Sequence, residues 1–312
     1  MKHLFIVNPV AGGRDATGDV KARVEAAFQN RGEPYEIYVT RAPMDAAEKI
    51  RAEAASGEEL RVYACGGDGT FNECVCGAAL LPNVALAPFP TGTGNDFCRM
   101  FGEEKDLFRD LPALLEGLVH PIDLIDVNGR YSANIASVGI DARIGCDVHK
   151  YSKIPVIGGT AGYVVSLLVN IFKGIATNMR VKSGDFSAAG KHSLVCACNG
   201  RFYGGGFNPS LDAMPDDGEL DIFVVKGVGV VKLGVLIGRY ASGRSDEISD
   251  YVTHLHGTEV DIELDKPDVV NVDGEAVVAD RIRMRLVPGA LRLIVPAGMR
   301  FFGEVREPAA AT

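Results

Sequence analysis

Three glycine-rich segments constrain the fold more than any other feature of the 312 residues. They are Asn8-Pro9-Val10-Ala11-Gly12-Gly13, Cys65-Gly66-Gly67-Asp68-Gly69-Thr70 and Pro90-Thr91-Gly92-Thr93-Gly94-Asn95-Asp96-Phe97. Each follows a short apolar run, at residues 4–7, 60–64 and 84–88, that reads as a buried strand, and 36–39 reads as a further strand. Helical spacing separates these runs, over 18–30 through Val20, Val24, Ala27 and Phe28, over 46–55 and over 72–80. Strands alternating with helices of this length predict parallel strands joined by crossover helices. Such sheets bind ligands at the carboxyl ends of their strands, where all three loops fall.

From about residue 122 the period changes from helical to two. Segments 132–136, 193–197, 220–225, 260–264, 282–286 and 291–295 alternate and are punctuated by Asn128-Gly129, Asn199-Gly200, Asp217-Gly218 and Pro288-Gly289. These are turn signals, so the second half reads as mostly antiparallel β structure. Helices are expected over 159–173 and 228–240. The expected division is an α/β domain at 1–121, to which 297–312 returns, and a β-rich domain at 122–296. Arg281, Arg283 and Arg285 alternate with apolar residues, as do Asp261, Glu263 and Asp265. On neighbouring strands these two rows form a solvated ladder of ion pairs, a simpler reading than a phosphate groove.

Composition excludes several classes. A hydrophobic fraction of 47% with 23% charged residues belongs to a globular chain, and the net charge of −9 opposes nucleic-acid binding by phosphate neutralisation. It equally opposes attachment to anionic lipid by bulk charge. The 37 glycines, about 12% of the chain against the ~7% usual in proteins, call for many tight turns or close backbone approaches. Seven cysteines without framework spacing read as buried, inert thiols in a cytosol. The histidines, His254 and His256 among them, form no credible cluster. The run at 4–7 is too short for a signal peptide, and the apolar stretch at 161–172 is too short to cross a bilayer. Val164, Leu167, Leu168, Ile171 and Phe172 give that stretch an apolar face, read as core rather than membrane contact. The expected location is the cytoplasm.

The Cys65–Thr70 loop carries the clearest chemistry. Its glycines let successive N–H groups turn inward around an anion, and the following helix adds the positive end of its dipole. Thr70 can cap that helix or donate to a phosphate oxygen. Asp68 is the anomaly, since a carboxylate beside phosphates repels them unless a divalent cation or ordered water intervenes. With no Gly-Lys-Ser/Thr and no Gly-x-Gly-x-x-Gly, the loop is neither a Walker loop nor a dinucleotide fingerprint. Asp273-Gly274-Glu275 and Asp216-Asp217-Gly218 read equally well as polar turns or as carboxylate sites.

Asn8-Pro9-x-x-Gly12, Gly66-Gly67-Asp68-Gly69-Thr70 and Gly92-Thr93-x-Asn95-Asp96-Phe97 occur in the order and spacing of the diacylglycerol kinase catalytic domain, which this chain resembles. That family also includes sphingosine and ceramide kinases and bacterial soluble lipid kinases. Val138-Gly139-Ile140-Asp141-Ala142, Asn199-Gly200 with Gly204-Gly205-Gly206, Asp216-Asp217-Gly218-x-Leu220-Asp221 and Asp273-Gly274-Glu275 resemble its second-domain motifs, so the likeness spans nearly the whole chain.

The resemblance implies a three-layer α/β domain followed by an antiparallel β-sandwich, and an ATP- and Mg²⁺-dependent lipid kinase. Diacylglycerol is the favoured acceptor, met at a membrane surface that the chain visits transiently. It implies ATP held by Asn8, Pro9, Val10, Ala11, Gly12, Thr40, Gly66, Gly67, Asp68, Gly69, Thr70, Phe71, Asn72, Thr93 and Asn95. Ala11 stands where many relatives carry serine, which removes one hydroxyl. It also implies Mg²⁺ on Asp217 with the carbonyls of Met214 and Glu219, reached by Asp68 through water. The carboxylates that activate the acceptor are Asp273 and Glu275, or Asp68; the likeness leaves that choice open. It leaves open a homodimer as well. Two other readings stand beside this one: a kinase of a soluble nucleotide such as NAD, and a non-catalytic lipid or nucleotide sensor.

Overall fold

The computed structural model describes residues 1–10, 15–91, 95–143 and 175–303. The helix expected over 159–173 and the loop residues Ala11, Gly12 and Thr93 lie outside the described residues. The chain divides into two compact units, Met1–Leu124 with Pro288–Thr312, and Ile125–Val287. The divisions therefore fall after residues 124 and 287, against the 121 and 296 expected.

In the first unit the elements alternate as β1 (Lys2–Val7), α1 (Thr17–Phe28), β2 (Tyr35–Val39), α2 (Asp45–Ala54), β3 (Leu60–Gly66), α3 (Asp68–Ala78) and β4 (Val84–Pro90). Short helices α4 (Asp96–Arg99) and α5 (Leu111–Leu115) follow. The strands pair in the order β4-β3-β1-β2, every pair parallel. All seven residues of β4 are buried, as a parallel strand covered on both faces must be. α3 packs on β3 and β4, while α1 buries Val20, Val24 and Phe28 and α2 buries Ala46, Ala47 and Ile50. A Cβ at Gly77 would lie 2.8 Å from the Ala47 Cα, so glycine sets how closely α3 approaches α2. His3 lies within an aromatic group of Phe28 and Tyr63, its Nδ1 3.0 Å from the Tyr63 hydroxyl. Burial there, reinforced by the Arg61 charge, pushes its pKa down to about 4.

The second unit is built from antiparallel pairs. Its elements are β5 (Leu118–Val127), β6 (Arg130–Ser132), β7 (Ile135–Gly139), β8 (Thr177–Ser183), β9 (Phe186–Cys198), β10 (Leu220–Lys226), α6 (Val230–Tyr240), β11 (Val252–Gly257), β12 (Glu259–Val272) and β13 (Glu275–Val295). Strands run β11-β10-β9-β7-β12-β13, with β8 pairing both β9 and β12 and β6 pairing β5. From His192 onward β9 is buried on both faces: Val195 and Ala197 enter one core, while Leu194, Cys196 and Cys198 enter another with Leu236 and Tyr240 of α6. β5 and β13 each run across a division between the units, and Arg292 and Leu293 of β13 pair in parallel with Ala85 and Leu86 of β4.

Several expectations needed correction. Pro288-Gly289 does not turn the chain; β13 runs through it, with Gly289 at φ +59 absorbing the irregularity and its N–H donating to Asp123 Oδ1 at 2.7 Å. The strand expected over 132–136 is interrupted at Ala133 and Asn134, whose N–H groups turn to a carboxylate instead. The helix expected over 72–80 begins at Asp68 and ends at Ala78. The charge ladder is present, with Arg285 opposite Glu259, Arg283 opposite Asp261 and Arg281 opposite Glu263. Its contacts are Arg283–Asp261 at 2.8 Å and Arg285–Glu259 at 3.6 Å, whereas Glu263 is held by Arg180 of β8 at 2.8 Å. All six described cysteines are buried thiols. Burial pushes Cys65, Cys74, Cys98 and Cys198 upward, as inert thiols require.

Candidate active site

The parallel order β4-β3-β1-β2 carries the four loops that follow these strands to one sheet edge. Asn8 N–H donates to the Cys65 carbonyl at 3.3 Å, Thr40 N–H to Val7 at 2.9 Å and Thr91 N–H to Gly66 at 3.4 Å. Across the two central strands, Asn8 Nδ2 donates to Thr70 Oγ1 at 3.1 Å, while Asn8 Oδ1 accepts the Val10 N–H. Pro9 and Val10 form the turn between them, and Val10 is exposed. Thr70 is buried under Gly66, where an added Cβ would meet Thr70 Oγ1 at 2.3 Å. Only glycine fits there, a requirement of packing rather than of φ.

Gly67 is extended and acts as N-cap of α3, its carbonyl accepting the Phe71 N–H at 3.0 Å, so Asp68, Gly69 and Thr70 form the first helical turn at the positive end of the helix dipole. Asn72 follows, fully buried. Asp68 Oδ1 accepts the Asp96 N–H at 2.7 Å, which ties this loop to the one after β4. Asn95 caps α4 by accepting the Cys98 N–H at 3.0 Å, and Phe71 packs on Phe97 with centroids 4.8 Å apart. The Asp68 carboxylate thus has a backbone task in addition to any catalytic one.

In the second unit, Asp273 and Gly274 form the β12–β13 hairpin turn with φ of +51 and +93. This is the two-residue turn that Asp-Gly favours. It also carries a network. Asp273 Oδ1 accepts from Ser132 Oγ at 2.6 Å, Ile135 N–H at 2.9 Å and Asn134 N–H at 3.2 Å, and Oδ2 accepts the Ala133 N–H at 2.9 Å. The carboxylate therefore closes the break between β6 and β7. Glu275, two residues on, is 45% exposed, with Arg130 Nη2 4.0 Å from Oε2.

Asp217 Oδ1 accepts the Glu219 N–H at 2.9 Å across a turn in which Gly218 has φ +78. Arg201 donates to the Met214 sulfur at 3.2 Å and to the Ala213 carbonyl at 2.8 Å. Carboxylate and carbonyl oxygens on one such loop are donors of the type that Mg²⁺ takes. The residues fit that ion in kind.

One grouping escaped the sequence. His254 and His256 do cluster, around Asp221, because β10 and β11 pair in a register that no local pattern reveals. Asp141 is half-buried with its Oδ2 enclosed, and desolvation raises its pKa to about 6 despite a 2.6 Å hydrogen bond from the Ala142 N–H. The motif Val138-Gly139-Ile140-Asp141-Ala142, which contains it, was the available signal.

Residues 2–127 match the family model of the diacylglycerol kinase catalytic domain, and residues 134–295 match the YegS C-terminal NAD kinase beta sandwich-like domain. The "Probable lipid kinase YegS-like" of Pseudomonas aeruginosa strain PAO1 is 30% identical over 298 residues, covering 95% of this chain and 96% of that protein. Its namesake in Stenotrophomonas maltophilia strain K279a is 30% identical over 312 residues, covering 94% and 97%. A crystal structure of a diacylglycerol kinase from Bacillus anthracis str. Sterne aligns with a TM-score of 0.67 at 26% identity, over 96% of this chain and 98% of that one.

Proposed function

The chain belongs to the lipid kinase family that joins a diacylglycerol kinase catalytic domain to a YegS-type β domain, and on that premise we propose that it transfers the γ-phosphoryl group of ATP to the hydroxyl of diacylglycerol, giving phosphatidic acid. A kinase domain uses ATP. The observation that carries the reading is the set of loops at the ends of β1, β2, β3 and β4, knit by Asn8, Thr40, Thr70 and Asp68. The first turn of α3 offers N–H groups to phosphate oxygens, and Thr70 and Asn8 offer side-chain donors beside them. Gly67 and Gly69 keep side chains out of the space the phosphates take, and Gly66 makes room for Thr70 beside it. Asn95 holds the neighbouring backbone in place through the Cys98 N–H, and Asn72 lies buried behind the turn.

Phosphoryl transfer rests on positioning and charge neutralisation, with one carboxylate sufficient to take the acceptor proton. We assign that proton to Glu275, whose exposed carboxylate has only a distant Arg130 contact described. Asp273 is assigned to positioning: its four hydrogen bonds shape the backbone from Ser132 to Ile135. Asp217, with the carbonyls of Met214 and Glu219, would hold Mg²⁺, which supplies charge neutralisation when bound. No described helix is long and apolar enough to cross a membrane. With a net charge of −9, contact with lipid is read as transient and apolar.

The test is purified protein with Mg²⁺ and labelled ATP, offered diacylglycerol, sphingosine, ceramide, phosphatidylglycerol and NAD in parallel. Label in phosphatidic acid is the expected result. Label in NADP alone would refute the lipid reading, and no label in any product would favour a sensor.

A further inference from the structure

The register of β10 and β11 sets Asp221 opposite His256 and Phe223 opposite His254. Residues two apart on a strand share a face, so both imidazoles stand on the side of the sheet that carries Asp221. His254 Nε2 lies 2.5 Å from Asp221 Oδ1, and His256 Nδ1 lies 3.4 Å from the same oxygen. Glu219 Oε2 is 3.9 Å from His256 Nδ1. We propose that Asp221, His254 and His256 bind a divalent transition metal of the zinc class, with Glu219 within reach of the fourth position.

Geometry supports the assignment. The three ligand atoms lie within 4.8 Å of one another. Zinc bonds of about 2.0–2.1 Å in a tetrahedral site put ligand atoms about 3.3 Å apart. The His256–Asp221 edge already has that length at 3.4 Å. The His254–Asp221 edge, now a hydrogen bond, needs to open by about 0.8 Å to reach the tetrahedral spacing. A cation replacing the proton shared between those two groups would drive that opening.

The surroundings hold the ligands in place. Ser210 Oγ donates to Asp221 Oδ2 at 2.6 Å, orienting the carboxylate. The Phe223 ring stacks on His254 with centroids 4.3 Å apart and planes 14° from parallel, fixing the imidazole. Outer contacts of this kind tune affinity in metal sites. His256 is 61% exposed, which leaves an entry path. Two imidazole nitrogens select zinc-class ions over Mg²⁺, unlike the all-oxygen set offered by Asp217 and the carbonyls of Met214 and Glu219.

Chelator-treated full-length protein, titrated calorimetrically with Zn²⁺ in a large excess of Mg²⁺, is expected to bind one ion. Co²⁺ in its place should give the visible absorption of a nitrogen- and oxygen-ligated centre. His256→Ala, at an exposed position and with its fold checked by circular dichroism, should weaken Zn²⁺ binding at least about 100-fold, more than loss of an outer contact does. Ser210→Ala should weaken it about tenfold. Should His256→Ala fail to fold, the wild-type Co²⁺ spectrum and the competition against Mg²⁺ decide alone. The proposal is overturned if Zn²⁺ binds the variant as tightly as the wild type, or if Mg²⁺ displaces it at equal concentration. The cluster is then a hydrogen-bonded His–Asp pair and nothing more.

Discussion

Asp273→Asn is the most informative single substitution, because it removes one carboxylate oxygen without disturbing the turn. Asp273 has φ +51, a conformation that asparagine tolerates best among the larger residues, so the backbone penalty that alanine would add is avoided. The change falls on the hydrogen bonds. Oδ1 can still accept from Ser132, Asn134 and Ile135, but the group replacing Oδ2 is a donor facing the Ala133 N–H. One charge-assisted bond becomes a donor–donor clash, and the remaining three lose the charge. Bonds to a charged acceptor contribute about 1.5–3 kcal/mol each, so the expected loss of stability is about 2–4 kcal/mol.

Two measurements check this. Urea unfolding followed on the second unit should shift its midpoint to lower denaturant. Hydrogen exchange of the peptide containing Ala133, Asn134 and Ile135 should accelerate, because their N–H groups lose an acceptor. An unchanged midpoint together with unchanged exchange would refute the anchoring role. Loss of turnover with both readouts unchanged would instead return Asp273 to the chemistry.

Gly66→Ala places a methyl 2.3 Å from Thr70 Oγ1, so it should cost about 1–3 kcal/mol in a thermal melt and abolish ATP binding measured by calorimetry. Asp261→Ala removes the closest rung of an exposed ladder, and its unfolding midpoint should correspond to a change of less than about 1 kcal/mol. His3 has a folded pKa of about 4, below its unfolded value, so the unfolded first unit binds more protons as the pH falls from 6.5. The first unit should therefore lose up to about 3 kcal/mol by pH 4, and His3→Gln should remove that slope in stability measured against pH. Asp141 behaves oppositely: with a folded pKa of about 6 its contribution is lost as the pH rises from 3.8 through 6. Asp141→Asn should then stabilise the second unit at pH 7 by up to about 3 kcal/mol.

Much of the fold was legible because it depends on period and punctuation. Strand and helix alternation placed β1, β2, β3 and β4 within two residues of their observed ends, and the glycine loops fell where the parallel sheet needs them. The misreadings have local causes. Glycine is a poor helix former, so residues 68–70 read as loop, although Gly67 supplies an extended N-cap and Asp68 begins α3. Pro-Gly reads as a turn, yet Gly289 can take φ +59 inside a long strand when its N–H finds Asp123. The acceptors and donors of the site were invisible for a different reason. Ser132 and Asp273 are 141 residues apart, and Asp221 and His254 are 33 apart, so only sheet register brings them together.

Their hydrogen bonds distinguish three carboxylates that the family likeness leaves equivalent. Asp68 receives a main-chain N–H and Asp273 receives three with a hydroxyl, whereas Glu275 faces Arg130 at 4.0 Å. A general base must keep a lone pair available to the acceptor hydroxyl, and each backbone donor competes for one. Glu275→Gln should accordingly leave the unfolding midpoint within about 0.5 kcal/mol of wild type, since the pair it breaks is exposed. Its turnover should fall at least about 100-fold, the usual contribution of a positioned proton acceptor. Asp68→Asn should instead lower stability and turnover together, because its oxygen also ties the loop after β3 to α4. A Glu275→Gln enzyme that turns over normally would move the proton to Asp68, and would leave Glu275 as a partner of Arg130 alone.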